Sequence, residues 1–106
     1  MTTTDDTWHD VAAADELEDD DVMQVTAAGS ELALYRVAGQ FYATDDCCTH
    51  EAASLSDGYL QDDTIECPRH QAVFHIPTGD VMSPPASVRL GTYPVRVDGD
   101  RVLVRL

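Results

Sequence analysis

Two pairs of cysteine and histidine are the residues best suited to chemistry in this chain of 106 amino acids. The first pair lies in Cys48-Thr49-His50 and the second in Cys67-Pro68-Arg69-His70. Each pair offers one thiolate and one imidazole, and both groups bind transition metals. The spacing therefore predicts one metal site whose four ligands come from two loops: Cys48, His50, Cys67 and His70.

The order of these ligands bears on the kind of metal site. A structural zinc site with two cysteines and two histidines usually has the cysteines in one short motif and the histidines in another. Here each loop supplies one of each. Both cysteines can then bind one iron of a [2Fe–2S] pair while both histidines bind the other. The order favours such a cluster, and zinc is the alternative.

A third cysteine, Cys47, directly precedes Cys48. Consecutive side chains of an extended loop point to opposite sides, so only one of the two can face the metal of His50. The spacing of cysteine to histidine selects Cys48, and we interpret Cys47 as a packed or weakly reactive thiol. The two remaining histidines, His9 and His75, lie in predicted strands and are expected to have structural or exposed roles.

The elements that must position these residues are β-strands. Short β-type runs separated by turn residues fill most of the sequence, and no segment keeps a helical period over three turns. The acidic stretch 12–21 is expected to be a solvated loop, with a helical turn as the alternative. The sequence predicts one all-β domain with strands at 7–11, 22–26, 31–37, 40–44, 59–60, 64–66, 73–76, 93–98 and 101–106.

Glycines mark the turns between these strands. Five of them lie between predicted strands, and each is expected to supply the positive φ of a hairpin turn: Gly29, Gly39, Gly58, Gly79 and Gly99. Residues 45–85 break the rhythm, because two short hairpins lie between polar loops and Pro84-Pro85 closes the segment. An insertion of this kind in a small β protein usually carries function, and both cysteine–histidine pairs lie within it.

At these residues the chain resembles the Rieske family, most closely the small Rieske ferredoxins of bacterial aromatic-ring dioxygenase systems. The similarity runs from about residue 22 to 106 and includes both pairs, Leu55-Ser56-Asp57-Gly58, Thr78-Gly79-Asp80 and Tyr93-Pro94-Val95. It implies a Rieske fold, an antiparallel β-sandwich with a small inserted cluster-binding subdomain at about 45–80. It also implies one Rieske-type [2Fe–2S] cluster on Cys48, His50, Cys67 and His70, covered by a loop at Pro84-Pro85.

The resemblance also indicates a branch of the family. High-potential members form a disulfide between two further cysteines, and this chain has Ala53 and Arg69 at those positions. They also place hydroxyl groups near the cluster sulfurs, where this chain has Ala72 and Phe74. Hydrogen bonds to the sulfurs favour the reduced cluster. Their loss predicts a carrier of low potential.

The charge of the chain is large and uneven. The net charge is −14 and the chain contains no lysine. Residues 1–66 contain 17 acidic residues against Arg36 alone, while residues 67–106 contain five arginines against three aspartates. Binding to nucleic acid or to an anionic membrane is disfavoured, because like charges repel. The acidity is interpreted as surface solvation, as adaptation to salt, or as steering toward a basic protein partner.

The resemblance implies a soluble electron carrier and not an enzyme. Such a protein passes single electrons from an NAD(P)H-dependent flavin reductase to a terminal Rieske oxygenase, both of them transient partners. The alternative is a permanently bound Rieske subunit of a larger oxidoreductase, such as the small subunit of an assimilatory nitrite reductase. That subunit should expose a sizeable apolar patch.

Sequence features also suggest where the chain is found. No run approaches the roughly 18 apolar residues of a membrane span, and the first residues lack the order of a signal peptide. We therefore expect a cytoplasmic protein that is a monomer, with residues 1–6 as a flexible tail.

Overall fold

The computed structural model describes residues 7–48, 53–68, 72–83 and 88–106, so the predicted tail 1–6 lies outside the described residues. The described part is almost entirely β-structure, with eleven strands and the 3₁₀ helices Ala14–Glu16 and Leu55–Asp57. The strands are β1 (Trp8–Ala13), β2 (Asp21–Ala27), β3 (Ser30–Val37), β4 (Gln40–Asp45), β5 (Tyr59–Gln61), β6 (Thr64–Glu66), β7 (Val73–His75), β8 (Val81–Ser83), β9 (Thr92–Tyr93), β10 (Val95–Asp98) and β11 (Arg101–Arg105).

Two antiparallel sheets form a sandwich. One has the strand order β1-β11-β10 and the other the order β2-β3-β4-β9. Apolar side chains from both sheets pack together, which confirms the predicted all-β sandwich. We call this packed set the sandwich core, and its buried members are Ala12, Leu17, Val25, Ala27, Leu32, Leu34, Ala43, Val102 and Val104.

A third antiparallel sheet, in the order β5-β6-β7-β8, lies in the region where the insertion is predicted. Each of its strands has three residues. Its inner face packs onto β3 and forms a second apolar cluster. We call this cluster the cysteine core, and its buried members are Ala33, Tyr35, Val37, Cys48, Leu55, Ile65, Cys67, Ala72, Phe74, Ile76 and Leu90.

β3 is shared by the two cores. Leu32 and Leu34 face the sandwich core, whereas Ala33 and Tyr35 face the cysteine core. Side chains of a strand alternate between its two faces, so a strand buried on both sides reads as an unbroken apolar run. That is why residues 32–35 contain no polar spacer.

The chain changes sheets at Pro94, where the sequence predicts one strand over 93–98. Tyr93 pairs with Ala43 of β4, whereas Val95 pairs with Val104 of β11. Proline has no N–H for a strand ladder, so pairing is interrupted there. The predicted strand is therefore two strands, β9 and β10. The short β8, whose pairing with β7 is irregular, was not predicted.

Most of the turn glycines have the predicted backbone. Gly29, Gly39, Gly79 and Gly99 have φ of 81°, 79°, 78° and 64°. For Gly58 the prediction is wrong, because its φ is −86°. A Cβ at Gly58 would instead collide with the carbonyl oxygen of Glu66. Gly58 is needed for a close approach of two backbones and not for a left-handed turn.

The acidic stretch 12–21 contains the helical turn given as the alternative, at Ala14–Glu16, and it continues in the exposed loop residues 18–20. Leu17 is buried in the sandwich core, and the carboxylate of Asp19 accepts a hydrogen bond of 2.8 Å from the N–H of Gly39. The segment thus joins the turn between β3 and β4 to the end of β1. In the part of the chain that the structure describes, no helix is long and apolar enough to cross a bilayer.

Candidate metal centre

The two predicted cysteine ligands lie together in the interior. Cys48 is 3% exposed and Cys67 is fully buried, and both belong to the cysteine core. Neither of them forms a disulfide. His50 and His70 lie outside the described residues, and among the described ones no group of three or more possible metal ligands occurs. The four-ligand set therefore stays a prediction.

The loops that carry the two pairs are closed in the same way. The N–H of Cys48 donates to the carbonyl oxygen of Ala53 at 2.9 Å, and the N–H of Cys67 donates to that of Ala72 at 2.8 Å. In both loops the acceptor comes five residues after the cysteine. Each predicted histidine thus falls, in sequence, inside a loop whose base is a buried cysteine.

The first loop continues a short ladder. The N–H of Leu55 donates to the carbonyl oxygen of Asp46 at 2.7 Å, and Cys47 forms an isolated bridge with Ser54. Cys47 is exposed while Cys48 is buried, as the alternation of side chains predicts. Sequence reasoning missed Asp46, a carboxylate that is 2% exposed. The unbroken acidic context of Asp45-Asp46 gives no sign that one of the two is buried.

The second loop stands on the ladder of β6 and β7. Glu66 pairs with Val73 and Ile65 with Phe74, so the ladder leads directly to the base of the loop. Phe74 and Ala72 are fully buried in the cysteine core. At these two positions the resemblance described above implies that hydroxyl groups of high-potential family members are missing. Apolar groups therefore occupy those positions next to the cysteines.

One buried hydroxyl group in the cysteine core belongs to Tyr35, and it already has a partner. Its oxygen lies 2.8 Å from the hydroxyl oxygen of Thr44. Burial raises the pKa of Tyr35 above its ordinary value, and the bond to Thr44 opposes this in part. The Tyr35 hydroxyl is thus neutral and directed toward Thr44.

Leu90 and Tyr93 hold the chain segment that follows the predicted proline loop. Pro84-Pro85 lies outside the described residues, but Leu90 is buried in the cysteine core and donates to the carbonyl oxygen of Gly79 at 2.9 Å. Tyr93 donates to a carboxylate oxygen of Asp45 at 2.5 Å. Burial and the neighbouring Asp45 raise the pKa of Tyr93 to about 12. Leu90 and Tyr93 thereby hold the return of this loop against the core.

The remaining histidines have structural contacts, as expected. In His75, one ring nitrogen lies 2.9 Å from the hydroxyl oxygen of Thr78 and the other 3.0 Å from a carboxylate oxygen of Asp63. His75 thus connects the two ends of the β6–β7 hairpin region. His9 lies in β1 and pairs with Val104.

The structure supports a soft, thiolate-binding metal group at this place. A metal that binds both cysteines as thiolates would offset their charge inside this apolar cluster. The two cysteines form no disulfide, lie in one apolar cluster and begin loops that are closed by the same kind of hydrogen bond. Thiolate and imidazole donors suit zinc or an iron–sulfur cluster equally in type.

Comparison with known families decides between these two. A model of the Rieske [2Fe-2S] domain matches residues 7–94. The chain belongs to the Rieske family. Its cofactor is one Rieske-type [2Fe–2S] cluster, and the zinc alternative is therefore wrong.

Curated and solved relatives place the chain in the ferredoxin branch of the Rieske family. The ferredoxin component of the naphthalene 1,2-dioxygenase system of Pseudomonas aeruginosa is 48% identical over 99 residues, which cover 93% of this chain and 95% of the relative. A chain in the solved complex of reduced oxygenase and oxidized ferredoxin in carbazole 1,9a-dioxygenase is 44% identical with a TM-score of 0.89, and the match covers 94% of both chains. The chain is an electron-transfer component and not itself an enzyme.

A more distant Rieske relative corresponds to the alternative function. A protein described as the NADH-dependent nitrite reductase small subunit of Mycobacterium tuberculosis is 25% identical, with a TM-score of 0.85 and coverage of 94% and 95% of the two chains. The Rieske fold thus serves both kinds of protein. Sequence identity is higher to the ferredoxins.

Proposed function

We propose that this Rieske ferredoxin carries single electrons at low potential from an NAD(P)H-dependent flavin reductase to a terminal Rieske oxygenase. The observation that carries the proposal is the similarity, over nearly the whole chain, to a ferredoxin solved in complex with its oxygenase. We propose that it acts as a monomer in the cytoplasm. The absence of a disulfide among the three cysteines supports a reducing compartment.

Cys48, Cys67, His50 and His70 are the proposed ligands. The two cysteines would hold one iron from inside the cysteine core, and the two histidines would hold the other. When bound, the cluster accepts and releases one electron. Because Cys48 and Cys67 are closed off from solvent, we propose the histidine side as the edge where electrons enter and leave.

A dissociable carrier agrees with the surface of the described residues. The large apolar side chains exposed there, Tyr59, Met82, Val88 and Val97, are distributed over β5, β8, β10 and the segment before β9. Transient redox partners make small contacts, and charges speed their encounter. The acidic residues of 1–66 then steer the protein toward basic partner surfaces.

Rapid mixing tests the proposal. The reduced protein is mixed with an oxidised terminal Rieske oxygenase, and the oxidised protein with a reduced flavin reductase. We expect both transfers, with rates that fall as salt is raised, because surface charges are screened over about 8–10 Å at physiological ionic strength. Rates that stay flat or rise with salt would favour salt adaptation over steering.

The same proteins distinguish the alternative function. A carrier should sediment as a monomer when mixed with either partner at low micromolar concentration and should transfer electrons in repeated encounters. A protein that stays in one complex through gel filtration and delivers electrons to nitrite would instead be a permanent subunit.

A further inference from the structure

Asp46 is a buried carboxylate in the segment that leads to the proposed ligand Cys48. In the portion of the chain that the structure describes, the buried polar side chains are Thr44 and Asp46, and of these only Asp46 carries a charge. It is 2% exposed and precedes Cys48 by two residues. Burying a carboxylate is costly unless hydrogen bonds replace its lost water. The burial of this carboxylate two residues before a proposed ligand therefore suggests that Asp46 has a role at the centre.

The carboxylate of Asp46 is held by two donors. One oxygen accepts a hydrogen bond of 2.9 Å from the backbone N–H of Ser56, and the other accepts one of 2.7 Å from the side-chain amide of Gln24. Both oxygens act as acceptors, which suits the ionised form.

The backbone of Asp46 is fixed as well. Its carbonyl oxygen accepts from the N–H of Leu55 at 2.7 Å, and its N–H donates to the carbonyl oxygen of Glu31 at 3.3 Å. Together with Gln24 and Ser56, these contacts tie β2, the start of β3 and the Leu55–Asp57 helix to the chain that enters the first ligand loop. The second ligand loop has a strand ladder at its base and needs no such side chain.

We propose that Asp46 is a positioning residue for the first ligand loop and that its buried negative charge lowers the reduction potential of the centre. An electron added near a buried carboxylate meets a like charge, and this repulsion is weakly screened in the interior. Reduction thereby becomes less favourable. The inference rests on the proposed assignment of Cys48 as a ligand.

Asp46→Asn tests the charge with little change of shape. The asparagine keeps an acceptor for the N–H of Ser56, and the amide of Gln24 can turn to present its oxygen to the new NH₂ group. Asp57→Asn is the matched control, because Asp57 is exposed and lies on the helix that Asp46 holds. Iron and sulfide content are measured first, and the potential is then measured by voltammetry at low salt and at 1 M salt.

We expect Asp46→Asn to keep the cluster and to increase the equilibrium constant for electron uptake about tenfold, which is about 59 mV for a one-electron couple. The change should be the same at both salt concentrations. Asp57→Asn should change the constant less than twofold. A loaded Asp46→Asn protein whose potential equals that of the wild type, or shifts only as far as the control, overturns the inference.

Gln24→Met decides the matter if Asp46→Asn fails to hold iron. This variant keeps the charge of Asp46 and its bond to Ser56 but removes the amide dipole that partly offsets the charge. The equilibrium constant for electron uptake should fall about twofold, and a chelator should remove iron faster than from the wild type. An unchanged or raised constant overturns the inference. A wild type without iron and sulfide would refute the ligand assignment itself, which is a different result.

Discussion

The sandwich and the sheet of the cysteine core are built in opposite ways. In the sandwich, β2 and β3 pair along seven residues, whereas β5 and β6 pair along three. A long ladder fixes its own register, because a slip would break many pairings at once and turn the apolar side chains of the amphipathic strand β2 outward. Strands of three residues make too few pairings to fix their register in this way. The small sheet depends on single hydrogen bonds, on close backbone contacts and on the metal group proposed for Cys48 and Cys67.

The largest expected effect comes from Cys48→Ser. Metal binding to two loops stabilises the fold that brings them together, so loss of a ligand should release iron and sulfide. Amides of β5 to β8 should then exchange with solvent much faster, while those of β2 and β3 stay protected. Iron analysis and hydrogen exchange measure both effects.

Cys47→Ser is the matched control for this experiment, because Cys47 is the exposed neighbour. It should keep the full iron content and the wild-type exchange pattern. The reverse outcome, with the cluster lost in Cys47→Ser and kept in Cys48→Ser, would contradict the ligand assignment. If Cys48→Ser reduced hydrogen-exchange protection equally in all three sheets, the small sheet would depend on the metal group no more than the sandwich does.

Two glycine substitutions compare the regions directly. Gly58→Ala in the small sheet would place a Cβ against the carbonyl oxygen of Glu66, whereas Gly29→Ala in the sandwich meets nothing within 4 Å. We expect Gly58→Ala to lower the free energy of unfolding by about 3 kcal/mol, the upper end for overpacking. Gly29→Ala should cost about 1 kcal/mol, from its left-handed backbone alone. Denaturant titration measures both, and equal costs would refute the role given to Gly58.

Phe74→Tyr probes the apolar surroundings of the cysteines with a hydroxyl group. A hydrogen bond to the cluster sulfurs should raise the potential by several tens of millivolts, because about 59 mV corresponds to a tenfold change for one electron. Phe41→Tyr, in the sandwich, adds the same group away from the cysteine core and should leave the potential unchanged. Voltammetry compares the two variants. A wild-type potential already near the high end of the Rieske range would count against the low-potential assignment.

The smallest effect is expected at Ala38, in the turn between β3 and β4. Its φ is 52°, which is left-handed backbone that disfavours alanine. Asparagine adopts this conformation more readily, so Ala38→Asn should stabilise the protein by about 0.5–1 kcal/mol. The midpoint of thermal unfolding should rise by a few degrees. A lower midpoint would show that packing around the turn outweighs its backbone preference.

Sequence reasoning predicted the features that follow from a repeating pattern and missed those that depend on a single tertiary contact. The apolar alternation and the glycine turns predicted the strands of the sandwich, and the cysteine–histidine spacing predicted the family. The split at Pro94 depends on which sheet each half joins, and β8 is too short for a period. Gly58 is required by a distant carbonyl oxygen, and Asp46 looks like its exposed acidic neighbours. These features arise from tertiary contacts that no local pattern records.

Because β3 is buried on both faces, its even-numbered and odd-numbered residues belong to different cores. The even positions 32 and 34 belong to the sandwich core, and the odd positions 33, 35 and 37 belong to the cysteine core. In a substitution scan along this one strand, changes at all of these buried positions should therefore lower the free energy of unfolding, but only those at odd positions should also change the redox centre. The same division lets the two cores accumulate mutations separately, although a single strand forms the wall between them.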